Sequence, residues 1–211
     1  MKRICHLALL MSVLVLTLSC GRKSESASIG QPSVGLSHNA IYHWRTTFEL
    51  DSTEVAFVQR HNIERIYVKM FDVATERNFL SGDYDPVPIA TTKFVSAVPS
   101  GVEIVPVVYV TIEALRAMKD NETYFGEIIV ERAMAMCNYN KCGKINELQI
   151  DCDWTSSTKK SYNRLCTAAA KLLKEQGKQL SVTIRLHQLD EDAPPADRGV
   201  LMLYNTGALK S

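Results

Sequence analysis

The sequence predicts an α/β fold, a (β/α)8 barrel truncated after its sixth strand. Three observations lead there. Six short apolar runs recur at 40–47, 65–73, 103–111, 147–154, 180–186 and 200–205. Helical patterns fill several of the gaps between them, and alternating strands and helices imply right-handed crossovers and a parallel sheet. Polar side chains gather at the ends of nearly all the runs, as at the mouth of a barrel. No glycine-rich phosphate loop follows the first run, so an open nucleotide-binding sheet loses its main support.

The N-terminal residues stand outside this pattern. Lys2 and Arg3 precede an apolar stretch, 7–18, that ends in Leu16-Thr-Leu-Ser-Cys20. Residues 1–20 read as a secretory signal, too short for a membrane span. A small residue before Cys20 matches the lipidation site of bacterial lipoproteins, with Thr17 where leucine is usual. The alternative is a plain secretory signal with an incidental cysteine. Residues 21–38 read as a Ser/Lys-rich tether, so the lipid-anchored reading is preferred. The expectation is an exported protein held at the bacterial cell envelope, with residues 39–211 forming the incomplete barrel domain.

The chain has 211 residues, 46% of them hydrophobic, and a net charge of +1. That balance suits a domain with a packed core and gives no field for nucleic acid. Beyond Cys20 the cysteines are Cys137, Cys142, Cys152 and Cys166. In an exported protein Cys137 and Cys142 can pair across a short Asn/Lys turn. Cys152 and Cys166 read as packed thiols.

Each element has its own signal. Asp51-Ser-Thr-Glu54 starts a helix running to Arg60, with carboxylates in its first turn. Residues 123–137 carry Phe125, Ile128, Ile129, Ala133 and Met136 at helical spacing. Residues 157–176 place Tyr162, Leu165, Ala169 and Leu172 or Leu173 on one side, and Gly177 ends that helix. Between the second and third runs, 76–88 reads as a long polar loop whose prolines forbid a helix interior.

The fourth run, Glu147-Leu-Gln-Ile-Asp-Cys-Asp-Trp154, is the most informative. Strand alternation puts Leu148, Ile150, Cys152 and Trp154 on one face and Gln149, Asp151 and Asp153 on the other. Buried charges cost several kcal/mol unless paired or solvated, so the two acids should face a wet cavity. On the fifth run Ser181, Thr183, Arg185 and His187 alternate with Leu180, Val182, Ile184 and Leu186. An Asp–Arg–His cluster at the barrel mouth follows. The other runs add His43 and Arg45, with Trp44 out of phase, then Lys69 in phase with Phe71 and followed by Asp72, then Tyr109 with Thr111, and Asn205 after Tyr204. Such carboxylates, amides and aromatic rings hold sugars. The competing account makes Asp151 and Asp153 a structural ion pair with Arg185 and Lys69, His43 and His187 ordinary core histidines, and Trp44 and Trp154 packing residues on the helix side.

His43-Trp-Arg, Gln149-Ile-Asp-Cys-Asp-Trp154, Thr183-Ile-Arg-Leu-His-Gln188, Pro194-Pro-Ala-Asp-Arg198 and Met202-Leu-Tyr-Asn205 resemble an uncharacterised bacterial family of glycosidase-like TIM barrels, often lipoproteins. The resemblance runs from about Ala40 to the C-terminus and implies a (β/α)8 fold. It carries no proven reaction. Asp151-Cys-Asp153 is also similar to the inner D-x-D of the DxxDxDxE motif of family 18 chitinase-like enzymes. Thr155 stands where that family has its catalytic glutamate.

Three functions remain. The first is a glycoside hydrolase, with Asp153 as general acid, Asp151 orienting it, and His43, Arg45, Lys69, Tyr109, Arg185, His187 and Asn205 binding a carbohydrate. The second is a non-catalytic glycan-binding lipoprotein, which Thr155 favours. The third is a metal-dependent hydrolase using Asp151, Asp153, His43 and His187. No HxH or HExxH motif accompanies those residues, so neither a metal nor a cofactor is expected.

Overall fold

In a computed structural model, residues 39–203 are described. The signal, the tether, Cys20 and Asn205 lie outside them.

The strands are β1 (Asn39–His43), β2 (Thr47–Phe48), β3 (Ile63–Arg77), β4 (Tyr84–Ile89), β5 (Lys93–Phe94), β6 (Glu103–Val110), β7 (Glu147–Asp151), β8 (Gln179–Arg185) and β9 (Arg198–Met202). The helices are α1 (Ser52–Arg60), α2 (Ile112–Ala117), α3 (Glu122–Tyr139) and α4 (Lys159–Glu175). The main sheet runs β1-β3-β6-β7-β8-β9, all parallel, with β4 antiparallel on β3. β2 and β5 form a separate two-stranded pair.

The sheet is curled into a half-barrel. Tyr42 on β1 donates its hydroxyl to Gln149 on β7 at 2.8 Å. Those strands are three places apart, about 14 Å in a flat sheet. Side chains perpendicular to a flat sheet would not meet; on a concave one they converge.

The convex face carries the core. Ile66, Ile104, Leu148, Ile150, Leu180 and Val182 pack with Leu115 of α2, Ile129 and Ala133 of α3, and Leu165, Ala169 and Leu173 of α4. Trp154 stacks on Tyr162 at 6.0 Å, and the Tyr162 hydroxyl donates to the Ile150 carbonyl at 3.1 Å. The predicted helix-side face of the fourth run is therefore found. α3 meets α4 through Gly126, where a Cβ would lie 2.7 Å from the Leu165 carbonyl oxygen.

Local signals explain the helix ends. Asp51 accepts from the Glu54 amide, and Glu54 accepts from the Asp51 amide, closing a capping box on α1. Thr111, expected as a strand end, instead caps α2 by accepting from the Ala114 amide at 3.1 Å. Gly177 follows α4 with φ +67, as a C-terminal glycine should. Cys137 and Cys142 are free thiols, both buried; the Cys142 amide donates to the Cys137 carbonyl at 2.9 Å.

Residues 76–88 are not the predicted loop. β3 runs on to Arg77 and turns back as β4, from Asp72↔Ile89 to Arg77↔Tyr84. Asn78 builds the turn, accepting from the Leu80 amide at 2.9 Å and donating to Asp85 at 2.8 Å. Pro86 and Pro88 are tolerated because β4 is an edge strand.

Candidate functional site

The concave face carries polar groups at both ends of the strands, around one small apolar cluster of Tyr67, Val105 and Val107. At the N-terminal ends of the strands, Glu147 is buried between Arg65, at 3.1 Å, and Arg198. Arg65 also pairs with Glu103 at 2.7 Å. Gln149 follows, donating to Ser181 at 3.2 Å. At the C-terminal ends lies an open cavity of about 590 Å³, lined by Trp44, Lys69, Asp72, Tyr109, Asp151, Asp153 and Arg185.

Arg185 organises this mouth. Its Nη2 donates to Asp151 Oδ1 at 2.8 Å, and its Nε donates to Asp153. Thr183 adds a hydroxyl bond to the same Asp151 oxygen. Asp151 is 2% exposed. Burial pushes its carboxyl above the usual range, against the pull of Thr183 and Arg185. Tyr109 reaches Asp153 at 3.5 Å. Burial, then the nearby Asp153 charge, pushes its phenol up to about 12. Across the mouth, Lys69 pairs with Asp72 at 3.0 Å.

The position of Asp72 depends on a bulge. Lys69 pairs with Val107 and Phe71 with Val108, so Met70 is the extra residue. A bulge shifts the inward–outward alternation by one. Met70 and Phe71 both face the helices, and Arg132 lies over the Phe71 ring at 5.2 Å. Phe71 is thus not in phase with Lys69, and Asp72 takes the inward place. Register then sets Asp72, Tyr109 and Asp151 in one row across β3, β6 and β7.

The first strand corrects the predicted parity. Tyr42 faces inward and stacks on Tyr67 at 4.7 Å; Trp44 lies parallel to it at 5.5 Å and lines the mouth. His43 points to the convex side, edge-on to Phe48 at 5.1 Å. Arg45 pairs with Glu54 of α1. Neither lines the mouth. The expected run 40–47 ends at His43, and the chain bends before β2, which brings Trp44 to the lip.

His187 also leaves the predicted cluster. β8 ends at Arg185, and Leu186–Gln188 forms a 3-10 turn that carries the His187 ring to the Trp154 carbonyl at 3.4 Å. Gln188 is the residue the alternation missed. Its amide donates to the Trp154 carbonyl at 2.9 Å and its oxygen accepts from the Arg185 amide at 2.8 Å. It ties the acid-bearing end of β7 to the arginine-bearing end of β8.

The sequence therefore places Asp151, Asp153, Arg185, Lys69 and Tyr109 together correctly. It names Asp72 at the end of its run but out of phase with Lys69, assigns Trp44 to the helix side, and misplaces His43, Arg45 and His187. Among the described residues no group of three or more His, Cys, Asp or Glu side chains is arranged to hold a metal ion. The four-residue metal set fails because both histidines lie away from the acids. A cavity of about 650 Å³ on the outer side of α3 and α4 is lined by Lys159, Lys160, Arg164 and Lys171. It is a groove between solvated helix faces that no strand end reaches.

The chain matches no family model, no curated protein and no solved structure. Among the described residues no helix is long and apolar enough to cross a membrane.

Proposed function

We propose that the mouth binds a glycan and hydrolyses a glycosidic bond, in a domain of the (β/α)8 type. One observation carries the reading: acids stand on both sides of a cavity that has a tryptophan at its lip. Asp72 and Asp151 share a register row two strands apart, roughly 9.6 Å at the backbone. Asp153 follows on the same strand end as Asp151, so it too stands two strands from Asp72, wider than the ~5–5.5 Å of a retaining pair and with room for an attacking water. Asp153, whose side chain is 42% exposed, is the acid able to reach a glycosidic oxygen. Asp151 holds Arg185 behind it, and Asp72 activates the water. The Trp44 face supports a pyranose ring through its C–H surface.

The test is turnover of a glycan panel, with the anomer of the first product read by NMR. Inversion is expected, with turnover lost in Asp153→Asn and in Asp72→Asn. Unchanged turnover in Asp153→Asn would sink the assignment.

A second reading is glycan binding without turnover. It is favoured by Arg185, which engages both Asp151 and Asp153, and by Thr155 in place of an acid. Saturable binding with no product would select it, and no binding at all would exclude both. Placement at the cell envelope through a lipidated Cys20 rests on residues 1–38. Metabolic labelling with a fatty acid, lost in Cys20→Ser, tests it.

A further inference from the structure

His43, displaced from the mouth, sits in a second cavity on the opposite face of the sheet. The cavity lies between β1 and α1 and measures about 350 Å³. Ile41, Leu50, Val58 and Ile66 give it apolar walls; Thr53 and His43 are polar, and the Arg45–Glu54 pair stands at the rim. His43 is 6% exposed, yet neither Nδ1 nor Nε2 has a hydrogen-bond partner. Buried polar groups without partners are rare and costly.

A water fits such a site poorly. It needs two to four polar neighbours, and most of this wall is hydrocarbon. Burial, then the Arg45 charge, lowers the affinity of His43 for a proton. The neutral ring offers one donor and one acceptor. A hydroxyl matches both, since it can accept from one nitrogen or donate to the other. A carboxylate finds no open cation, because Arg45 is engaged with Glu54. A cation finds no open carboxylate, because Glu54 is engaged with Arg45. The volume is at the lower end for small-molecule sites, enough for one ring.

We infer that the β1–α1 cavity is a binding site, separate from the mouth, for a compact neutral apolar molecule carrying a single hydroxyl, of the phenol class. His43 supplies the polar contact and the aliphatic walls supply the rest. The inference does not depend on what the mouth binds.

The experiment titrates the isotope-labelled full chain with p-cresol near neutral pH. It follows the His43 ring nitrogens and the Ile41 and Val58 methyls by NMR. Saturable shifts at all three are expected. Toluene, which lacks the hydroxyl, should bind about tenfold more weakly. His43→Phe should reduce p-cresol to the toluene level and leave toluene unchanged. Absence of saturation, equal affinity for the two compounds, or undiminished p-cresol binding in His43→Phe overturns the inference. Thr53→Trp fills the cavity from the exposed first turn of α1 and guards against misfolding of the first variant. It should abolish binding of both compounds, and unchanged binding there overturns the inference as well.

Discussion

Arg185 and Asp151 form a buried ion pair, 2.8 Å from Nη2 to Oδ1, in which the carboxylate is almost wholly removed from water. Two charges so placed are interdependent, because either alone would be an unpaired charge in a low-dielectric site. Arg185→Leu should therefore lower unfolding free energy by about 3–5 kcal/mol, measured by urea denaturation near neutral pH. Adding Asp151→Asn should recover much of that loss. A single-variant loss below about 1 kcal/mol, the range of exposed pairs, would show that the pair is not buried in solution.

The raised pKa of Asp151 fixes a sign for pH dependence. Its folded value lies above the ordinary 3.8. The folded state therefore holds the proton more tightly than the unfolded chain. Its contribution is fully present below 3.8 and is lost as pH rises through the folded value. Relative to the parent, Asp151→Asn should gain stability across that window and level off above it. Parallel denaturation curves at a series of pH values check this, and a relative gain on acidification would contradict it.

Trp44 is 39% exposed and rests on Tyr42 rather than in the core. Trp44→Ala should cost about 1 kcal/mol or less in stability. Under the glycan reading it should weaken ligand binding about two- to tenfold. Calorimetric titration with the best ligand of the panel separates the two effects.

Gly126 invites a misleading substitution. Helix propensity alone favours Gly126→Ala by about 1 kcal/mol. The added methyl would strike the backbone of α4 at Leu165, so the helices must part. A net destabilisation of about 1–3 kcal/mol is expected. A higher melting temperature in the variant would refute the close approach of α3 and α4.

The legible part of the molecule was whatever followed strict alternation. β7 and β8 have no bulge, so spacing alone assigns Gln149, Asp151, Ser181, Thr183 and Arg185 to one face. The capping box at Asp51 and Glu54 and the glycine after α4 marked helix ends in the same direct way. Elsewhere a single residue shifted the phase. Met70 is an ordinary apolar residue, and nothing in its neighbours marks the bulge that moves Asp72 inward. The bend after His43 is likewise marked by no local glycine or proline, nor is the turn after Arg185, which Gln188 closes by accepting from the Arg185 amide. The β3–β4 hairpin was hidden because its second strand holds two prolines, which read as a loop until the strand is seen to lie on an edge.

The apolar residues buried on the concave face are few, the cluster of Tyr67, Val105 and Val107 and, in register with Arg185, Met202, while the rest of the core lies beneath the helices. Cohesion and chemistry thus occupy opposite sides of one sheet. Residues in the mouth can be exchanged without loosening what holds the layers together, provided that charge is replaced in matched sets. Such an architecture gives descendants of this chain room to change what they recognise faster than they change how they fold.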